Sequence, residues 1–69
     1  MSDHIYKTTE VVGSSSKSID DAISKAVERT AKTVSNLEWF EVVETRGHIV
    51  DGKVGHYQVV LKIGFRLDD

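Results

Sequence analysis

The sequence predicts an α+β subunit of β-α-β-β order, a three-stranded antiparallel sheet wrapped around one helix. Three observations predict it. One stretch of the 69-residue chain has helical periodicity, β-branched and aromatic runs flank it, and the last two runs are joined by Asp51-Gly52. Apolar residues spaced by three and four mark a helix, alternation marks a strand, and Asp-Gly marks a two-residue hairpin turn. The length bounds a single domain, residues 1–69.

The first strand is expected over His4 to Val12, where Ile5, Tyr6, Thr8, Thr9, Val11 and Val12 are β-branched or aromatic and no Gly or Pro intervenes. Gly13 and Ser14-Ser15-Ser16 end it as a strand-to-helix turn. Ser18 is a good N-cap, with Asp20 and Asp21 in the first turn, where the helix dipole favours negative charge. Ile19, Ala22, Ile23, Ala26, Val27, Thr30, Val34 and Leu37 form one apolar stripe over roughly five turns. Lys25, Glu28, Arg29 and Lys32 lie opposite, a solvated face or a docking patch for a phosphate-bearing ligand. Asn36 closes the helix.

The second strand runs from about Glu38 to Val50 and the third from about Val54 to Leu67. In the second, alternation puts Trp39, Glu41, Val43 and Thr45 on one face and Phe40, Val42, Glu44 and Arg46 on the other. In the third, Tyr57, Val59, Leu61, Ile63, Phe65 and Leu67 form an apolar face. A two-residue turn pairs odd positions of the second strand with even positions of the third. Phe40 and Val42 therefore join the apolar face under the helix, while Trp39, Val43 and Thr45 share a surface with Gln58, Val60 and Lys62.

Apolar burial in so short a chain barely offsets ordering entropy, so a further staple is required. With no Cys, that staple is expected to be subunit association. A formal net charge of -2, with acids and bases interspersed, argues against nucleic acid as a partner. No charged-then-apolar leader and no apolar run near ~20 residues is seen, so the expectation is a cytoplasmic protein with no membrane partner.

Trp39 is the residue with most to say about function. An indole uncovered on a sheet beside valines marks an interface or a ligand site. Gln58 offers an amide that can meet the edge of a heterocycle, although an outward polar residue needs no such role. The two sit six to eight residues apart along the ladder, on the order of 20 Å, so one small ligand touching both requires two chains. No metal site is expected, because His4, His48 and His56 show no i, i+4 pairing and no carboxylate cluster accompanies them. Ser14, Ser15 and Ser16 have no base at a recognisable spacing, and the glycines form no phosphate-binding pattern. No catalytic residue emerges.

The run Trp39-Phe40-Glu41-Val42, then Thr45-Arg46-Gly47-His48, Tyr57-Gln58-Val59 and Gly64-Phe65 resembles the bacterial dodecins over essentially the whole chain. The resemblance implies a hollow, spherical homododecamer that binds flavin, FMN or riboflavin, in pairs at two-fold interfaces. Trp39 matches the tryptophan that stacks on the isoalloxazine, Gln58 the glutamine that hydrogen-bonds the ring system, and Arg46 an arginine near the flavin. By parity Arg46 points to the helix side, unless Gly47 marks a bulge. The resemblance also implies coenzyme A at three-fold contacts, with Tyr6, Arg29, Lys32 and Arg66 as candidates for that site. The turn proline of the family is absent here, with Ser16 or Lys17 nearby.

The implied role is flavin storage or sequestration with photoprotection, not enzymatic catalysis. Two other classes stand beside it. A structural oligomerisation module would use Trp39 only as interface, and a flavin-dependent oxidoreductase would need a substrate pocket and a proton donor beside the ring.

Overall fold

The structure, a computed structural model, describes residues 3–68; residues 1, 2 and 69 of the expected domain lie outside the described residues. Strand β1 (Tyr6–Ser15), helix α1 (Ile19–Ala31), strand β2 (Leu37–Val50) and strand β3 (Lys53–Arg66) follow in the expected order. Strand β3 is central, and both neighbours pair with it antiparallel. Helix α1 packs on β1 and β3. The core is small: Ala22 and Ala26 of the helix meet Val59, Leu61 and Ile63 of the sheet, with Val11, Ile19, Ile23, Val27 and Leu37 partly buried around them.

Strand β1 does not stop at Gly13, contrary to the sequence reading, and continues through Ser15 with Gly13 opposite Val59. The glycine is there for space. A Cβ at Gly13 would run into the backbone carbonyl of Ala22 and meet the Ala26 side chain, so the residue lets the helix lie close on the strand. The turn is therefore short, and Ser15 organises it. Its buried hydroxyl donates to Asp21 Oδ2 (2.6 Å) and accepts from Lys17 N–H (2.9 Å). Ser18 caps the helix as expected, accepting from Asp21 N–H at 3.0 Å.

The helix is shorter than the apolar stripe suggested. It ends at Ala31, where bonds from Thr33 and Val34 to the Thr30 carbonyl tighten the last turn. Thr33, Val34, Ser35 and Asn36 are weak helix formers, and the chain must turn towards the sheet. Leu37 continues the stripe by position only, being the first residue of β2. Asn36 takes a left-handed conformation (φ 64°), and its side chain donates to the Arg66 carbonyl at 3.3 Å. The hairpin turn is as expected, with positive φ at both Asp51 and Gly52.

Thirteen helical residues span about 20 Å, whereas fourteen strand residues span about 46 Å. The hairpin overhangs the helix. The molecule measures 55 × 20 × 14 Å, and β2 is solvent-exposed along nearly its whole length. Phe40 and Val42 do lie on the helix side of the sheet, opposite Ile63 and Leu61, but the helix does not cover them: they are 49% and 44% exposed. Two long edge strands and an uncovered apolar face are features that a lone chain in water manages poorly. Among the described residues, no helix is long and apolar enough to cross a membrane.

Candidate functional site

The sheet face turned away from α1 carries the candidate residues. Along β1 and β3 the register is uninterrupted, so Tyr6, Thr8, Glu10, Val12 and Ser14 share this face with Arg66, Gly64, Lys62, Val60 and Gln58. Trp39 sits opposite Gly64 on the same face, and its indole lies across that glycine. Any Cβ at Gly64 would occupy the indole ring. Tyr6 meets Trp39 edge-on, with ring centroids 5.1 Å apart and planes inclined at 64°. The indole is thus held from beneath and from one edge, yet 43% of the residue is exposed.

Strict alternation along β2 fails, and its failure assembles the polar part of the site. The register shifts between His48 and Ile49, where Gly55 is the extra residue on β3, and again between Val42 and Glu44, where Val43 is the extra residue on β2. Between the two bulges the faces are exchanged. Arg46 pairs with Gln58 on the Trp39 face, while Thr45 pairs with buried Val59 on the helix side. The parity expectations for Arg46, Glu44 and Thr45 are corrected accordingly. A bulge does bring Arg46 round, but it falls at Gly55 rather than Gly47.

Arg46 Nε donates to Gln58 Oε1 at 2.9 Å, and Arg46 Nη1 donates to Glu44 Oε1 at 2.8 Å. These exposed contacts add little to stability, but they hold the guanidinium against the sheet. The remaining N–H groups of Arg46 and the amide NH2 of Gln58 are donors that a molecule laid on this face could use. Gln58 and Gly64 are six residues apart on β3, about 20 Å. Trp39 and the Arg46–Gln58 pair therefore cannot grip one small molecule within a single chain.

The four residues considered for an anionic ligand fall into two groups. Tyr6 and Arg66 are cross-strand partners beside Trp39, with Arg66 Nη1 3.8 Å from Glu38 Oε2. Arg29 and Lys32 belong to the end of the helix, on the opposite side of the sheet. Arg29 and Lys25 line a groove of about 340 Å³ between α1 and the edge of β1, with Val11, Val12, Gly13 and Ser14. Lys25 is engaged by Asp21 at 3.1 Å.

The sequence reading missed Gly64 as the bed of the indole. A glycine inside an otherwise β-branched and aromatic run was the available signal, because it marks close approach. It also missed the side-by-side placement of His48 and His56, whose ring centroids lie 6.4 Å apart. No sequence signal gave that, since it depends on the bulge.

Fold and site define a small α+β sheet protein with a seated, outward-facing indole and a separate cation–amide pair. The family model described as Dodecin matches residues 5–68. A dodecin of Thermus thermophilus is 48% identical over 65 residues, which is 94% of this chain and 94% of that protein. The dodecin structure from Streptomyces coelicolor has a TM-score of 0.94 at 52% identity, covering 100% of this chain and 99% of that one. That from Streptomyces davaonensis has a TM-score of 0.94 at 48% identity, covering 99% and 100%. The chain belongs to the dodecin family.

Proposed function

We propose that the protein sequesters flavin, FMN or riboflavin, in the cytoplasm, at two-fold contacts between subunits of a hollow homododecamer. One observation carries the proposal: the indole of Trp39 lies across Gly64 and the residue remains 43% exposed, about 20 Å from the polar groups that would complete a site. A two-fold axis between these points brings Trp39 of one chain towards Gln58 and Arg46 of the next. Membership of the dodecin family supports the same arrangement.

In that site the planar ring of the flavin stacks on the indole, and both are removed from water. The amide of Gln58 can donate to and accept from the edge of the heterocycle, while Arg46 donates to a carbonyl or phosphate oxygen. A photoexcited flavin takes an electron from the touching indole and gives it back, so the excitation ends as heat and no product is formed. Storage and photoprotection are thus two consequences of one contact, and the role is binding rather than catalysis. Coenzyme A is proposed as a second ligand, held by cationic side chains among Arg29, Lys32 and Arg66 with Tyr6, and drawn from different subunits.

Acid extraction of the purified assembly, with chromatographic identification of the released molecules, tests the proposal together with a fluorescence titration of FMN and riboflavin. Released flavin and strong quenching on binding are expected. An intact assembly that neither releases nor quenches flavin would leave a purely structural oligomerisation module. Turnover of bound flavin with a reductant and a substrate would instead favour an oxidoreductase.

A further inference from the structure

We propose that His48 and His56 form a two-imidazole site for a divalent transition ion, separate from the flavin contacts. The two residues are directly cross-strand on β2 and β3, on the same face as Arg46 and Gln58 and one row beyond them towards the hairpin turn. Both are exposed, and β1 ends at Ser15 opposite Tyr57, so no third strand covers them.

The bulge at Gly55 creates this pair. A two-residue turn at Asp51-Gly52 continued without interruption would set His48 opposite Gly55 and His56 opposite Gly47, with the imidazoles on opposite faces. Gly55 is the extra residue, and its insertion shifts the register by one to place His48 opposite His56. Directly opposed residues on an antiparallel pair have Cβ atoms about 5 Å apart. The rings, now edge-to-face at 6.4 Å and inclined at 75°, would close to a centroid separation of roughly 5 Å around a tetrahedral ion bound at about 2.0–2.1 Å. Rotation of two exposed side chains supplies that difference without moving the backbone.

Donor chemistry selects the class of ion. Two neutral imidazoles suit zinc, copper or nickel, whereas calcium and magnesium require oxygen ligands. Two cationic residues flank the pair on this face, each one row, about 7 Å, away along the strand: Arg46, whose charge Glu44 offsets at 2.8 Å, and Lys53, the partner of Val50, whose long exposed side chain can turn out to water. Two coordination positions remain for water or an anion, so the site takes up an exchangeable ion rather than a buried structural one.

Zinc is the probe: calorimetric titration of the assembled protein in a non-chelating buffer, with calcium as a parallel titrant. One zinc ion per chain and no calcium binding at these residues are expected. His48→Ala and His56→Ala should each weaken zinc binding at least tenfold, and His4→Ala should bind as the parent does. If His48→Ala does not assemble, His48→Gln, closer in size to the parent side chain, takes its place. Saturable zinc binding unchanged by removing either His48 or His56, or none in the intact parent assembly, would overturn the site.

Discussion

Trp39 concentrates more of the proposed function than any other residue, and Gly64 is the reason it can. The indole needs one face against the sheet and the other open, and only a residue without a Cβ leaves room for a ring to lie on the strand. Trp39→Ala should therefore lower flavin affinity by about one to two orders of magnitude, taking roughly 1–3 kcal/mol for an aromatic stack by analogy with nucleobases. Flavin that still binds should regain fluorescence, since the touching electron donor has gone. Gly64→Ala should move the indole and weaken binding while leaving Trp39 in place. Oligomer mass, affinity and bound-flavin fluorescence, measured on both variants, separate this role from an interface role. An assembly carrying Trp39→Ala that binds and quenches as fully as the parent would remove the stacking assignment.

At the scale of the element, the β1–α1 connection decides how closely helix and sheet approach. Gly13→Ala places a methyl against the Ala22 carbonyl oxygen, a backbone atom that cannot swing aside, so a loss of about 1–3 kcal/mol is expected in urea unfolding. The same turn gives the protein an acid-sensitive point. The Ser15 hydroxyl, and next the Lys25 ammonium, hold the Asp21 carboxyl below its ordinary value of 3.8. A group depressed in the folded state contributes stability that is present above its unfolded pKa and is lost as the pH falls through the folded one. Asp21 thus stabilises the fold near neutrality, and the contribution is lost progressively as the pH falls from about 3.8 towards the lower folded-state value. Thermal unfolding of Asp21→Asn should be less steeply dependent on pH in that acidic range than unfolding of the parent. An unchanged acid dependence would show that other carboxylates set it.

The whole molecule is an incomplete object when taken alone. Leu61, Val59 and Ile63 are fully buried, but Phe40 and Val42 on one side of β2 and Trp39 on the other face water, and Ile49 at the hairpin end is 77% exposed. Light scattering at micromolar concentration should report a mass about twelve times that of the chain, because apolar faces of this extent want partners. A stable folded monomer under those conditions would contradict the dodecamer. Coenzyme A should bind the assembly more tightly at low salt than at moderate salt, since exposed cation–phosphate contacts are screened over about 10 Å at 0.1 M. Heat of binding that is absent at low salt, with the oligomer intact, would leave Arg29, Lys32 and Arg66 as solvated side chains.

Read alone, the sequence determined the order of elements, the cap at Ser18, the turn at Asp51-Gly52 and the identity of the indole as the residue to watch. Each of these is a local matter: a capping hydroxyl, a positive φ, or a side chain too large and apolar to be left in water without a purpose. The extent of β1 and the end of α1 were decided by packing, since Gly13 is demanded by the helix that crosses it and Leu37 by the sheet that recruits it. The face on which Arg46 and His48 lie was decided by two bulges, at Gly55 and near Val43, that no alternation pattern reveals. A one-residue register shift exchanges the faces of every residue beyond it, so side-chain placement on a long hairpin belongs to the pairing of the strands, which only the tertiary structure fixes.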